Sequence, residues 1–389
     1  MAERGRIVLL FSDTGGGHRS AAEAIAEAVE LEFPGLYETR LVDAFKSYAP
    51  IPLNQSAALW PELVRRPQTW GLAYRLSNGR QRGRVLTAIT WPYVRRAAQR
   101  LVSEAPADAL VSVHPLFIAP VLKALGPARP PFVTVVTDIV STHALWYHHQ
   151  ADVCCVPTQA AFERALAFGM QPEQVRLVGL PVADRFCRPA GDRERLLREL
   201  GWPSDRPTVL IVGGGEGMGP LFETARALAR GGGDFALAVV AGRNDSLRRR
   251  LEAAPWEVPT QIYGFERRMP EMMRAATLLV SKAGPGTITE AMNAGLPMVL
   301  YSYVPGQEEG NAAYVVETGA GVWAPGAEAT AAAVRRWLAR PQDVERASHA
   351  ARRAARPEAA REIARLLASL MEERTRAPAR LPAAARPPA

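Results

Sequence analysis

Short apolar runs alternate with amphipathic stretches along most of this chain. Residues 7–11 (IVLLF) form one such run, followed by a glycine loop and a helical stretch over 20–32. Runs at 109–113, 132–137 and 175–178 read as strands, with helices over 116–125 and 158–168. A second series passes through 208–212, 235–241, 260–263, 276–280 and 298–301. Short unbroken apolar runs suit parallel strands covered on both faces. Their alternation with helices predicts α/β architecture built from doubly wound units. Both series open with strand, glycine loop and helix, so we expect two Rossmann-like domains facing a central cleft. The first would span 1–190 and the second 200–340, with a charged, proline-bearing boundary near 191–207. A helical segment (341–373) and an Ala/Pro/Arg-rich tail (374–389) follow, the tail expected to be disordered.

Residues 44–100 break the alternation. They hold Trp60, Trp70, Tyr74, Trp91 and Tyr93 among arginines and read as helices interrupted by prolines, an insertion in the first domain. Charge sharpens this. Residues 51–100 carry nine arginines against one acid, Glu62, a net +8. The last sixteen residues add four arginines and no acid. Since the whole chain is +8, the remainder is −4: a mildly acidic globule with one basic segment and one basic tail. Arginines with aromatics suit nucleic acid, by phosphate pairing and stacking. They equally suit a bilayer surface, where each basic residue contributes on the order of 1 kcal/mol to anionic lipid. No apolar run is long enough to span a bilayer. The chain enters its first strand at once, so no signal peptide is expected. Three cysteines without metal spacing argue for a reducing compartment.

Three glycine loops carry the candidate chemistry. The third is Ala283–Gly286, followed by a helix expected from near Thr287, then a strand and the polar loop 306–311. A helix start offers free N–H groups and the positive end of a dipole, which suit phosphate. Gln307, Glu308 and Asn311 suit hydroxyl groups, so this stretch suggests a nucleotide sugar. The second loop, GGGEGMGP (213–220), implies close backbone approach. The first, SDTGGGH (12–18), places His18 at a strand's carboxyl end, where open α/β sheets bind ligands. There His18 could accept a proton or simply bond a turn carbonyl through Nδ1. His114 and Asp138 end two further first-domain strands. The histidines 143, 148 and 149 match no metal-site spacing, and no Asp-x-Asp occurs. No protein-bound metal is therefore expected, and a diphosphate would be met by helix ends and backbone amides.

Taken together, SDTGGGHRSAAEAI, VSVHP, TVVTD, GLPV, GGGEGMGP, KAGPGTITEAM and GQEEGN resemble the monogalactosyldiacylglycerol (MGDG) synthase family. That family belongs with the inverting glycosyltransferases that include diacylglycerol glucosyltransferases and MurG. The matching stretches run from residue 12 to 311, in order, across both domains. The resemblance implies a GT-B fold and transfer of a hexose, galactose or glucose, from a UDP-sugar to 1,2-diacylglycerol. By position, Gly284, Pro285, Gly286 and Thr287 would hold the diphosphate with Arg243 nearby, and Gly214 and Gly215 would line the cleft. The backbone at Phe265 would face uracil, Glu290 the ribose, and Gln307 and Glu308 the hexose. His18 would be the general base or hold the acceptor hydroxyl, with Gly17, His114 and Asp138 on the acceptor side. The 44–100 segment would meet anionic membrane lipids through Trp60, Trp70, Arg80, Arg82, Arg84 and Trp91, leaving nucleic acid without a role. Glu309 departs from the family loop, where a small residue is expected. Without a plastid-type extension before the first strand, the expectation is a bacterial protein on the inner face of the cell membrane. Other lipid acceptors (undecaprenyl-linked or sterol) and a UDP-sugar epimerase of the same architecture remain open.

Overall fold

In a computed structural model, residues 4–14, 16–56, 67–188 and 191–376 are described. Trp60 and the tail beyond residue 376 lie outside them. The first sheet has strands β1 (Gly5–Phe11), β2 (Tyr37–Asp43), β3 (Ala109–Ser112), β4 (Phe132–Val135), β5 (Val153–Val156) and β6 (Val175–Leu177). All pair in parallel, in the order β2-β1-β3-β4-β5-β6. The second comprises β7 (Thr208–Val212), β8 (Ala236–Val240), β9 (Thr260–Tyr263), β10 (Leu278–Lys282), β11 (Met298–Ser302) and β12 (Gly321–Trp323). Its order is β12-β11-β10-β7-β8-β9, again parallel.

Helices in the first half are α1 (Gly17–Glu32), α2 (Ala44–Tyr48), α3 (Pro67–Ser77), α4 (Arg80–Glu104), α5 (Pro115–Leu125), α6 (Gln159–Ala167) and α7 (Asp184–Cys187). Those in the second are α8 (Arg193–Leu200), α9 (Leu221–Ala229), α10 (Asp245–Glu252), α11 (Met269–Ala275), α12 (Pro285–Ala294), α13 (Glu309–Glu317), α14 (Ala327–Leu338), α15 (Pro341–Ala354) and α16 (Ala359–Arg376).

Each sheet is covered on both faces, because its central strands are apolar on both. Ile7, Leu9 and Val111 pack with α1 and α16; Val8, Leu10 and Leu110 pack with α4 and α5. In the second sheet Leu210 and Leu300 pack with α8, α11 and α12, and Val209 and Val299 with α9 and α14.

Four expectations change. The 191–207 boundary contains α8, whose Leu197 and Leu200 join the second-domain core. The segment 341–373 is two helices, and the second returns to the first domain, burying Ile363, Ala364 and Leu367 against β1 and β3. That apolar stripe continues the helix through Arg376, so Arg374–Arg376 are ordered rather than tail. Pro92 does not break the insertion; it lies inside α4. Among the described residues no helix is long and apolar enough to cross a membrane.

Candidate active site

Both sheets turn the carboxyl ends of their strands to the cleft between the domains. On the first-domain side, Gly16 adopts a left-handed φ of 77° and starts α1 directly after β1. His18 follows on the first turn. Its Nδ1 lies 2.7 Å from the Val113 carbonyl and 2.9 Å from Thr137 Oγ1. A carbonyl only accepts, so Nδ1 carries the proton and Nε2 keeps its lone pair. Burial pushes the imidazole pKa down to about 4, although the residue as a whole is only half-buried. The carbonyl bond and the free base are therefore compatible, since each uses a different nitrogen.

His114 has the opposite tautomer. Its Nδ1 accepts from Leu116 N–H at 3.3 Å and caps α5, while its ring packs on His18, Phe45 and Phe117. It is buried and walls the site. Gly17 is exposed with open space beside it. Asp138 is buried and accepts from Trp146 Nε1 at 2.7 Å and from Gln307 Nε2 at 3.2 Å. Burial raises its carboxyl to about 6, against the pull of those two donors.

The Gln307 bond crosses the cleft. On the second-domain side, α12 begins at Pro285 rather than near Thr287, because proline suits the first helical position. Gly284 N–H is used by the Lys282 carbonyl, which leaves the Gly286 and Thr287 amides at the helix start. Glu290 stands one turn further; burial pushes its carboxyl up to about 7.

The glycines of GGGEGMGP divide by role. A methyl group on Gly217 would lie 2.2 Å from the Ala241 carbonyl oxygen, and one on Gly242 2.4 Å from that of Gly215. Both have positive φ. These two let the 213–219 and 241–243 backbones touch. Gly214 and Gly215 instead face Lys282 and Arg243. Arg243 pairs with Glu216 at 2.9 Å and lies 4.3 Å over the ring of the exposed Phe265.

Two residues of the 306–311 loop already have partners within the protein. Glu308 is buried: Oε1 meets Lys282 Nζ at 2.6 Å and Oε2 accepts from Val304 N–H at 2.9 Å. It thereby orients the loop and a lysine. Asn311 is likewise buried, donating to the Ala283 carbonyl at 3.0 Å. Lys282 is the residue that sequence reasoning missed. It closes β10 between Gly214 and Gly284, and its register is not visible in a run that ends in glycine and proline.

The insertion departs from expectation in detail. Trp91 is half-buried, with the exposed Lys123 Nζ 4.5 Å over its ring. Arg82 folds back onto the carbonyls of Arg75 and Leu76 at the end of α3. Arg80 packs over Gly169, and Arg84 is exposed. Trp70 is half-buried beside Tyr74. The exposed apolar side chains are others: Leu72 and Leu76 on α3, and Val85, Ile89 and Tyr93 on α4. Their four-residue spacing puts each set on one helix face.

Two parallel α/β domains, with a phosphate-ready helix start facing His18 across the cleft, are the architecture of GT-B sugar-nucleotide enzymes. Residues 18–182 match the family model for monogalactosyldiacylglycerol (MGDG) synthase, and residues 208–367 that for the glycosyltransferase family 28 C-terminal domain. The probable MGDG synthase 2, chloroplastic, of Oryza sativa subsp. japonica is 40% identical over 345 residues, 85% of this chain and 73% of that protein. MGDG synthase 2, chloroplastic, of Arabidopsis thaliana is 38% identical over 366 residues, 90% of this chain and 78% of its own. The chain belongs to the MGDG synthase family.

Solved structures agree on architecture. The S. aureus MnaA–UDP co-structure has a TM-score of 0.64 at 14% identity, covering 96% of this chain and 99% of that one. Acinetobacter baumannii MurG has 0.58 at 16%, covering 94% and 99%. At such identities these show the fold alone. The expected bacterial location on the inner face of a cell membrane is corrected by the relatives, which are chloroplastic proteins. The start of a chain is no guide to its compartment.

Proposed function

We propose that this protein transfers a hexose, galactose in preference to glucose, from a UDP-sugar to the free hydroxyl of 1,2-diacylglycerol, giving a β-monoglycosyldiacylglycerol with inversion. One observation carries the reading. Thr137 touches His18 at 2.9 Å, and its neighbour Asp138 takes Gln307 at 3.2 Å. His18 of one domain and the 306–311 loop of the other thus meet at two adjacent residues, which supports a transfer carried out between the domains. The relatives, named as MGDG synthases, supply the substrate class.

In the step proposed, the acceptor oxygen attacks the anomeric carbon and its proton passes to His18 Nε2. The bond from that carbon to the diphosphate oxygen breaks, and the electron pair leaves with UDP. The Gly286 and Thr287 amides, the α12 dipole and Lys282 meet the charge that develops there. Glu290 suits the ribose hydroxyls, and the Phe265 backbone, beside the Arg243 stack, suits uracil. One displacement inverts the anomeric carbon.

The lipid acceptor must be reached at a surface. We assign that contact to the apolar faces of α3 and α4, with Arg84, Arg95 and Arg96 exposed on α4 and complementary to anionic lipid. Incubation with diacylglycerol and either UDP-galactose or UDP-glucose, followed by thin-layer chromatography, tests the proposal. A monohexosyl lipid is expected, more with UDP-galactose. An epimerised UDP-sugar without lipid product would overturn it in favour of an epimerase.

A further inference from the structure

Helix α3 has two working sides. One bears the exposed Leu72 and Leu76. The other bears Gly71 and Tyr74, three residues apart, and it lies on the loop after β11. Gly71 meets Pro305 so closely that a methyl group there would sit 2.9 Å from Pro305 Cβ. Tyr74 is buried, and its ring covers Gly306, where a methyl group would sit 3.1 Å from Cδ1. Gly306 has a φ of +80°, a left-handed conformation that glycine adopts without strain and that brings its backbone against the Tyr74 ring.

Tyr74 also reaches the first domain, because its hydroxyl donates to the Ser141 carbonyl. Ser141 Oγ in turn accepts from Gly310 N–H at 3.0 Å. Arg75 stands 3.6 Å from Glu309, the acid that departs from the family loop. Between Gly306 and Glu309 lie Gln307, bound to Asp138, and Glu308, bound to Lys282. One helix therefore grips the loop on both sides of the two residues that shape the donor half of the cleft.

We propose that α3 is a positioning element that couples membrane contact to donor binding, with Tyr74 and Gly71 holding residues 304–309 in their donor-binding arrangement. The proposal rests on the membrane reading of α3. Seating Leu72 and Leu76 in a bilayer fixes the helix, and a fixed helix fixes the Gly71 and Tyr74 contacts to Pro305 and Gly306. Because coupling is reciprocal, UDP must tighten vesicle binding by the same factor as vesicles tighten UDP binding.

The full-length protein is titrated with UDP by calorimetry, alone and on phosphatidylcholine vesicles containing phosphatidylserine. Sedimentation with the same vesicles is measured with and without UDP. About fivefold or more is expected in both directions. Tyr74→Ala is expected to sediment with vesicles yet lose that factor, and to raise KM for the UDP-hexose while KM for diacylglycerol holds. Should Tyr74→Ala fold poorly, Tyr74→Phe and the exposed Arg75→Gln each reduce the factor while preserving the ring. Vesicle binding that leaves UDP affinity unchanged in the wild type overturns the coupling and spares the membrane reading. Failure to sediment at all overturns the membrane reading and the coupling with it.

Discussion

Replacing His18 separates the two tasks of its ring. His18→Ala removes both the Nε2 base and the Nδ1–H bond to Val113. His18→Asn restores a short donor toward that carbonyl without a base. A general base contributes about 10²–10⁴-fold, roughly 3–5.5 kcal/mol of barrier. Both variants should therefore lose two to four decades of kcat, while UDP affinity, which is set across the cleft, holds. Stability should differ between them by about 1 kcal/mol, the worth of one hydrogen bond.

The pH dependence gives a second reading of the same residue. Burial holds its pKa at about 4 in the folded chain, below the ordinary imidazole value of 6.5. The unfolded chain thus binds the extra proton first, and wild-type stability falls as pH drops from 6.5 to about 4. The full difference is about 3 kcal/mol. His18→Asn should lose that slope. Initial rates with UDP-galactose and diacylglycerol vesicles, calorimetry with UDP, and urea unfolding at pH 5 and 8 make the measurement. Near-normal turnover in His18→Asn removes the base assignment; an unchanged pH slope removes the burial argument.

Three further outcomes follow from the geometry. Lys282→Met leaves the buried Glu308 carboxylate unpaired, which costs about 3–5 kcal/mol, and weakens UDP binding. Adding Glu308→Gln should restore stability but not affinity, and equal losses in single and double variants would contradict the pair's role. Burial lifts the Asp138 carboxyl to about 6, above the ordinary aspartate value of 3.8, so its ionisation costs stability as pH rises from 3.8 through 6. Asp138→Asn should gain on the wild type by up to about 3 kcal/mol between pH 4 and pH 8, and a pH-independent difference in urea unfolding would count against this. Neutralising Arg80, Arg82 and Arg84 together should weaken sedimentation with anionic vesicles, though by less than three free arginines would, because Arg82 also caps α3; unchanged sedimentation would remove these arginines from the membrane surface.

Central strands were legible because a parallel strand covered on both faces is an unbroken apolar run. Three strands were not. β2 (YETRLVD) is mostly polar and β12 has only three residues; each lies at an edge with a single partner. β5 is four residues long and rich in cysteine, a run too short to separate from a helix by pattern. The site shows the same division. Glycines at 214, 215, 284 and 286 and the base candidate His18 lie in loops whose spacing carries the chemistry. Lys282 and Tyr74 do not, since each acts through a partner tens of residues away or more.

The local pattern of this chain determined its strand–helix alternation, its phosphate-ready helix start and its basic segment, because each depends on neighbours in sequence. Only the tertiary structure decided how those parts are used. It bound Glu308 to Lys282, gave His18 one protonated and one free nitrogen, and set Gln307 on Asp138 across the cleft. It also left Trp91 half-buried under Lys123, with Leu72 and Ile89 exposed, as burial reports neighbours in space and not residue type. The last helix returned to the first domain for the same reason: its apolar stripe found its partners more than 300 residues earlier in the chain, at β1 and α1.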